Sequence, residues 1–156
     1  MPKWCFVELD RQLLDQVLEI EIQSFNFPWN RSSYIDELNC SGALNRAVIV
    51  PDRADGKSLI AYLCCRIIID ELHIMKIAVA PSWRRRGVAS ALLQHGFDLA
   101  HNKGVKKVLL EVRTTNLAAQ RLYRHNGFQL IGKRPNYYPQ TGEAALLYMK
   151  KIEESR

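Results

Sequence analysis

The residues with the plainest chemical potential are Arg84-Arg85-Arg86-Gly87-Val88-Ala89-Ser90, where a strand ending at Val79 gives way to a helix starting near Gly87. The N–H groups at a helix start have no partner within the helix and carry partial positive charge, so they suit phosphate oxygens. Gly87 lets the backbone come close to a ligand, small Ala89 leaves room on the same approach, and three arginines at the rim supply charge to a diphosphate. No Gly-Lys-Ser/Thr closes the turn, which excludes a nucleoside-triphosphatase loop. A dinucleotide fingerprint would need three spaced glycines in a βαβ frame. The plain alternative is a solvated basic turn in front of an ordinary helix.

A second run, Leu110-Glu111-Val112-Arg113-Thr114-Thr115-Asn116-Leu117-Ala118-Ala119-Gln120-Arg121-Leu122-Tyr123, followed by Asn126-Gly127-Phe128, puts a carboxylate on a strand and a phenol on the helix after it. On residue types alone, Glu111 also reads as a partner for a neighbouring base, and Tyr123 as a core aromatic. Two shorter pieces, Phe27-Pro28-Trp29 and Asn136-Tyr137-Tyr138-Pro139, carry aromatic residues that could pack or border a substrate. His73, His95, His101 and His125 form no ligand spacing with Cys5, Cys40, Cys64 or Cys65, and the cysteines contain no C-x-x-C pair, so no metal site is expected.

The elements that must position these residues follow from periodicity and punctuation. Strands are expected at 4–8, 45–50, 58–69, 71–79, 107–112, 128–131 and 144–150. Asp10 opens a first helix with Leu14, Val17, Leu18, Glu21 and Phe25 near helical spacing. Phe27-Pro28-Trp29 breaks it, because the residue before a proline resists the helical region. Asn30 caps a second helix over 31–39, and further helices span 87–102 and 116–125, stopped by Gly104 and by Asn126-Gly127. A turn joins the strands at Pro51-Asp52-Arg53-Ala54-Asp55-Gly56. The order predicts an α+β chain with a mixed sheet, not a regular doubly wound βαβ fold.

With a strand before it, Arg84-x-x-Gly87-x-Ala89 resembles the acyl-coenzyme A signature of the GNAT superfamily of N-acetyltransferases. The second run and the two aromatic pieces, in that order, resemble the branch that acetylates the N-terminal alanine of ribosomal proteins. The resemblance implies a mostly antiparallel mixed sheet with helices on both faces. It implies acetyl-CoA as co-substrate, its pyrophosphate held by the loop and helix start from Arg84 to Ser90. Its pantetheine arm would be bonded by the backbone of Ile77-Ala78-Val79 and by Asn116. It implies Glu111 as general base, directly or through water, and Tyr123 as the acid that protonates the coenzyme A sulfur. Phe27, Trp29, Tyr137 and Tyr138 would lie on the acceptor side. Two positions depart from the commonest signature: Ala89 stands where many members have a second glycine, and Arg84 where several have glutamine.

The whole chain is consistent with these expectations. Its 156 residues, 47 % hydrophobic and 24 % charged, suit one acetyltransferase domain over 1–156, with no repeat or linker. No run approaches the roughly 18–20 apolar residues of a membrane span, and the start does not read as a signal peptide. Unpaired thiols fit a cytoplasmic protein. The net charge of +6 divides into −4 over residues 1–75 (7 basic, 11 acidic) and +10 over 76–156 (15 basic, 5 acidic). The basic half carries the phosphate-binding turn. The acidic half is expected to hold much of the acceptor side, where a cationic protein N-terminus would arrive. No recognition helix or aromatic platform supports a nucleic-acid partner. Other acceptors compatible with the sequence are different protein N-termini, lysine side chains or a small amine, and a non-catalytic acyl-CoA module is the alternative from another class. Oligomeric state is not legible.

Overall fold

The computed structural model describes residues 4–51 and 56–152, so the turn expected at 51–56 lies outside the described residues over 52–55. The strands are β1 (Cys5–Glu8), β2 (Arg46–Val50), β3 (Ser58–Ile68), β4 (Glu71–Val79), β5 (Lys107–Arg113), β6 (Gln129–Arg134) and β7 (Ala145–Lys151). They form one sheet in the order β1-β2-β3-β4-β5-β7-β6. Every neighbouring pair is antiparallel except β4 with β5, where the chain crosses over through a helix. Helices α1 (Leu14–Ser24) and α2 (Arg31–Leu38) pack on one face, and α3 (Val88–Asn102) and α4 (Leu117–His125) on the other. The expected mixed sheet with helices on both faces is therefore present. Among the described residues no helix is long and apolar enough to cross a membrane.

Local sequence explains most boundaries. Asp10 accepts the Gln12 N–H and opens a single 3-10 turn, Arg11–Leu13, that runs into α1. Asn30 accepts the Ser33 N–H at the start of α2. Along β5 burial alternates strictly: Val108, Leu110 and Val112 enter the core under α3 and α4. Leu109, Glu111 and Arg113 therefore face the α1–α2 side. Cys64 and Cys65 fall on opposite faces of β3, each buried in a different apolar cluster, as adjacent strand residues must. The largest difference from expectation is β6, which continues to Arg134 rather than ending at 131. Gly132, Lys133 and Arg134 carry no apolar signal. They are strand because β7 offers a pairing edge, with Arg134 opposite Ala145.

Two carboxylates are buried on the α1–α2 side, Glu37, which pairs with Arg66, and Glu21. Glu21 is fully buried, and four donors converge on its carboxylate. The Tyr34 and Tyr62 hydroxyls donate to Oε1, the latter at 2.6 Å. Lys76 Nζ donates to Oε2 at 2.7 Å, and the Trp29 N–H to the same oxygen at 2.8 Å. The cluster thereby joins α1, the 25–30 loop, α2, β3 and β4 at one point. Burial pushes both phenols up, so they remain donors. Burial also pulls the Lys76 ammonium below its ordinary value, against the pull of Glu21 in the other direction.

A buried carboxylate with all its acceptor sites used is costly to break and cheap to mimic. Glu21→Ala strands the Lys76 ammonium and two tyrosine hydroxyls, and should lower unfolding free energy by about 3–5 kcal/mol in urea denaturation. Glu21→Gln, which still accepts hydrogen bonds, should cost clearly less. Equal losses in the two variants would show that the carboxylate is not the joint described.

Candidate active site

β4 and β5 pair only from Glu71↔Lys107 to Ile74↔Leu110. The cause of their parting is visible in the register of β4 with β3. Cys65 stands opposite Ile74 and Cys64 opposite Lys76, leaving Met75 as an extra residue. Such a bulge bends its strand and ends pairing on the far side. Beyond it β4 stays with β3, while β5 stays with β7 as far as Arg113↔Ala145. The result is a cleft between two strands in the middle of the sheet.

The Ala80 N–H donates to Ile60 O at 2.8 Å, so by alternation the peptide of Ala78 also faces β3. The peptides of Ile77 and Val79 then face the cleft. Of the three backbone positions named from the sequence, these two line the opening and Ala78 does not. The Val79 carbonyl is already taken by Arg84 Nε at 3.0 Å, and Arg84 Nη2 donates to Ser24 Oγ at 3.0 Å. Arg84 thus ties the end of β4 to the end of α1, while Arg85 and Arg86 are exposed.

The turn continues into α3 as expected. Gly87 sits at the helix start with φ of 79°, a left-handed conformation that glycine tolerates best, and no side chain caps the helix. A Cβ built there meets no atom within 4 Å, so within the chain the demand at this position is conformation, not space. The first backbone bond into the helix is the Ala91 N–H to Gly87 O at 3.0 Å. Among the described residues the N–H groups of Val88, Ala89 and Ser90 have no acceptor, which fits a phosphate-bearing ligand at the mouth of the cleft. Ser90 is partly committed: its Oγ accepts from Asn126 Nδ2 at 3.1 Å, joining the start of α3 to the end of α4.

Tyr123 and Glu111 approach the cleft from opposite faces of the sheet. Tyr123, on α4, is buried against Phe128 (ring centroids 5.5 Å apart) and Tyr148 (6.4 Å). Its hydroxyl has no hydrogen-bond partner among the described residues, yet it is not sealed off as the Tyr148 hydroxyl is. Burial pushes the Tyr123 phenol well above its ordinary value. Glu111 projects to the α1–α2 side with its side chain 30 % accessible, 3.8 Å from Arg134 Nη1. Its presence holds the Tyr137 phenol above its usual range. Asn116 uses Oδ1 to cap α4 through the Ala119 N–H, and its amide nitrogen has no acceptor among the described residues.

Of the aromatic residues named from the sequence, Phe27 and Tyr138 meet at Arg113, Tyr137 joins them through Tyr138, and Trp29 packs inward instead. The Arg113 guanidinium lies 3.9 Å from the Tyr138 ring and 5.2 Å from the Phe27 ring, while donating to Thr141 Oγ1 at 3.2 Å. The 25–30 loop and the 135–144 loop therefore meet over a residue two positions from Glu111. Tyr137 packs edge-on against Tyr138 at 5.0 Å. Trp29 leans on Tyr34 at 5.2 Å and under Lys76 at 4.7 Å. Arg113, Arg134, Lys76 and Glu21 had no role in the sequence reading. The one signal available was a charged residue at an apolar position: Glu21 at helical spacing from Leu14, Val17 and Leu18 in α1, and Lys76 between Met75 and Ile77 in β4. Their positions also redraw the expected division of charge. Glu21, Glu111 and Glu143 each have a basic neighbour from the C-terminal half, so halves of the chain do not correspond to faces of the protein.

A family model described as Acetyltransferase (GNAT) family matches residues 14–128. A Bacillus subtilis relative, provisionally named ribosomal protein bS18-alanine N-acetyltransferase, is 35 % identical over 141 residues, covering 90 % of this chain and 91 % of its own. The Escherichia coli ribosomal protein bS18-alanine N-acetyltransferase is 34 % identical over 128 residues, 82 % of each chain. The crystal structure of the Escherichia coli ribosomal-protein-S18-alanine N-acetyltransferase superposes with a TM-score of 0.84 at 29 % identity, covering 99 % of this chain and 97 % of the other. A split sheet, an uncapped helix beside the split, and these matches along most of the chain lead to one statement: this chain belongs to the GNAT family of acetyltransferases.

Proposed function

We propose that the protein transfers an acetyl group from acetyl-CoA to the α-amine of a protein N-terminus, specifically that of an alanine-initiated ribosomal protein in the cytoplasm. The observation that carries the chemistry is the parting of β4 from β5 after Ile74 and Leu110, with a carboxylate on one face of the sheet and a buried phenol on the other. The acceptor is carried by the relatives named for bS18-alanine acetylation, which align along most of this chain.

Acetyl-CoA supplies the acetyl group as an activated thioester when it is bound. The free N–H groups of Val88, Ala89 and Ser90, with Gly87 setting the turn and Arg85 and Arg86 at the rim, hold its phosphates. Arg84 holds the turn itself in place. The Ile77 peptide, the Val79 N–H and the Asn116 amide are available to its pantetheine arm. Glu111 accepts the proton that the acceptor nitrogen must shed, and Tyr123 gives its phenolic proton to the departing sulfur. One N–C bond forms, one C–S bond breaks, and each proton has a stated origin and destination. An α-amine titrates at roughly 7.7–8.0 against about 10.4 for a lysine, so a modest carboxylate is enough for the first and poorly suited to the second. Phe27, Trp29, Tyr137 and Tyr138 form the walls along which the acceptor peptide lies.

Steady-state kinetics on a peptide beginning with alanine test the roles. Glu111→Gln and Tyr123→Phe should each lower kcat by about 10²–10³ while acetyl-CoA binding by calorimetry stays unchanged. Near-normal turnover in both would remove the assignment. Because burial raises the Tyr123 phenol, the acid keeps its proton where the amine has lost its own. The kcat/KM profile should therefore rise as the amine deprotonates and hold to about pH 9. A decline already at neutral pH would point to a different acid.

The phosphate site makes a separate prediction. Arg85→Ala with Arg86→Ala should raise the acetyl-CoA dissociation constant about 3- to 10-fold, with a weaker dependence on salt than the parent. The peptide KM should not move. An unchanged affinity for acetyl-CoA at low salt would mean that the two guanidinium groups only face solvent.

A further inference from the structure

Lys76 occupies an unusual place. It is the first residue after the Met75 bulge, where β4 leaves β5, on the same side of the sheet as Glu111. Its side chain is only 11 % accessible. The ammonium lies 2.7 Å from Glu21 Oε2, 3.7 Å from the Phe25 ring centroid and 4.7 Å from that of Trp29. The same carboxylate oxygen receives the Trp29 N–H. The 25–30 loop is thus held twice by one ion pair: its backbone by Glu21, its aromatic rings by Lys76.

Packing alone does not require this arrangement. Apolar residues of similar volume would fill the space without the desolvation that a buried ion pair costs. What the pair adds is direction, because a carboxylate fixes an N–H in angle and an ammonium fixes two rings in place. The loop so held carries Phe27, whose ring meets Arg113 two residues from Glu111.

We infer that Lys76, through Glu21, is a positioning residue for the acceptor: the pair locks the 25–30 loop as a rigid wall of the groove and so sets how tightly the acceptor N-terminus binds, without taking part in proton transfer. This rests on the reading above that the loop borders the acceptor. A rigid wall selects on the shape of the first acceptor residues, whereas a loose one admits a wider set at lower affinity.

The test uses Lys76→Met and the double variant Glu21→Gln/Lys76→Met, which removes both charges together and leaves one carboxamide oxygen, able to accept from Tyr34 and Tyr62 or from the Trp29 N–H but not from all three. Hydrogen exchange of residues 25–30, the acetyl-CoA dissociation constant, and kcat and KM on alanine-initiated peptides are measured for each. In both variants we expect loop exchange to speed up and the peptide KM to rise, each by about tenfold. We expect kcat to stay within about twofold, and acetyl-CoA affinity and α3 exchange not to move. If the single variant does not fold, the double variant decides. Parental loop exchange and peptide KM in a folded double variant would overturn the inference and leave the pair as core filling. If the parent enzyme acetylates no N-terminal peptide, the acceptor reading fails, and loop exchange still reports whether Lys76 holds the loop.

Discussion

A strand cannot leave its neighbour in the middle of a sheet without exposing peptide groups that the ladder had satisfied, and buried peptide groups without partners are costly. Here the departure of β4 from β5 past Ile74 and Leu110 is enforced by one extra residue, Met75, and each strand keeps its other neighbour. The sheet stays continuous at its base and opens at one end. The peptides of Ile77 and Val79 face that opening, and α3 follows β4 with free N–H groups at its start. In the proposed reaction, phosphate binding, thioester placement and proton transfer would all depend on that single interruption.

The same interruption explains where charge had to be buried. The strand that bends away carries Lys76 into the apolar layer beneath α1, and Glu21 with two tyrosines receives it. Four elements and a loop meet at this carboxylate, so the acceptor side of the cleft is anchored to the strand whose bend creates the cleft. On the other side of the groove, Arg113 links the 135–144 loop to Phe27. The two walls and the floor are therefore one connected unit of ion pairs, hydrogen bonds and cation–aromatic contacts rather than independent loops.

Much of this was legible along the chain because its causes are local. The alternation in β5, the caps Asp10 and Asn30, and the helix starting after Gly87 all arise within a few residues of where they act. The basic turn in front of α3 was readable for the same reason: its amides and arginines are contiguous. The extension of β6 through Gly132, Lys133 and Arg134 was not, because pairing with β7, not composition, makes those residues strand. The cleft was not legible either. A bulge at Met75 is a relation between two strands, and nothing in the residue type of Met75 marks it.

The sequence by itself determined the element order, the α+β class, the location of the basic turn before α3, and the residue types that resemble an acetyltransferase. These follow from periodicity, capping and motif spacing, which act over short stretches of chain. Only the tertiary structure decided that Glu111 and Tyr123 approach from opposite faces, that Ile77 and Val79 rather than Ala78 line the opening, and that Arg84 is spent on holding the turn. It also decided that Glu21, Trp29 and Lys76 form one site although Lys76 lies 55 residues from Glu21. Such pairings depend on which strands are neighbours and where their register slips, and no local stretch of sequence carries that information.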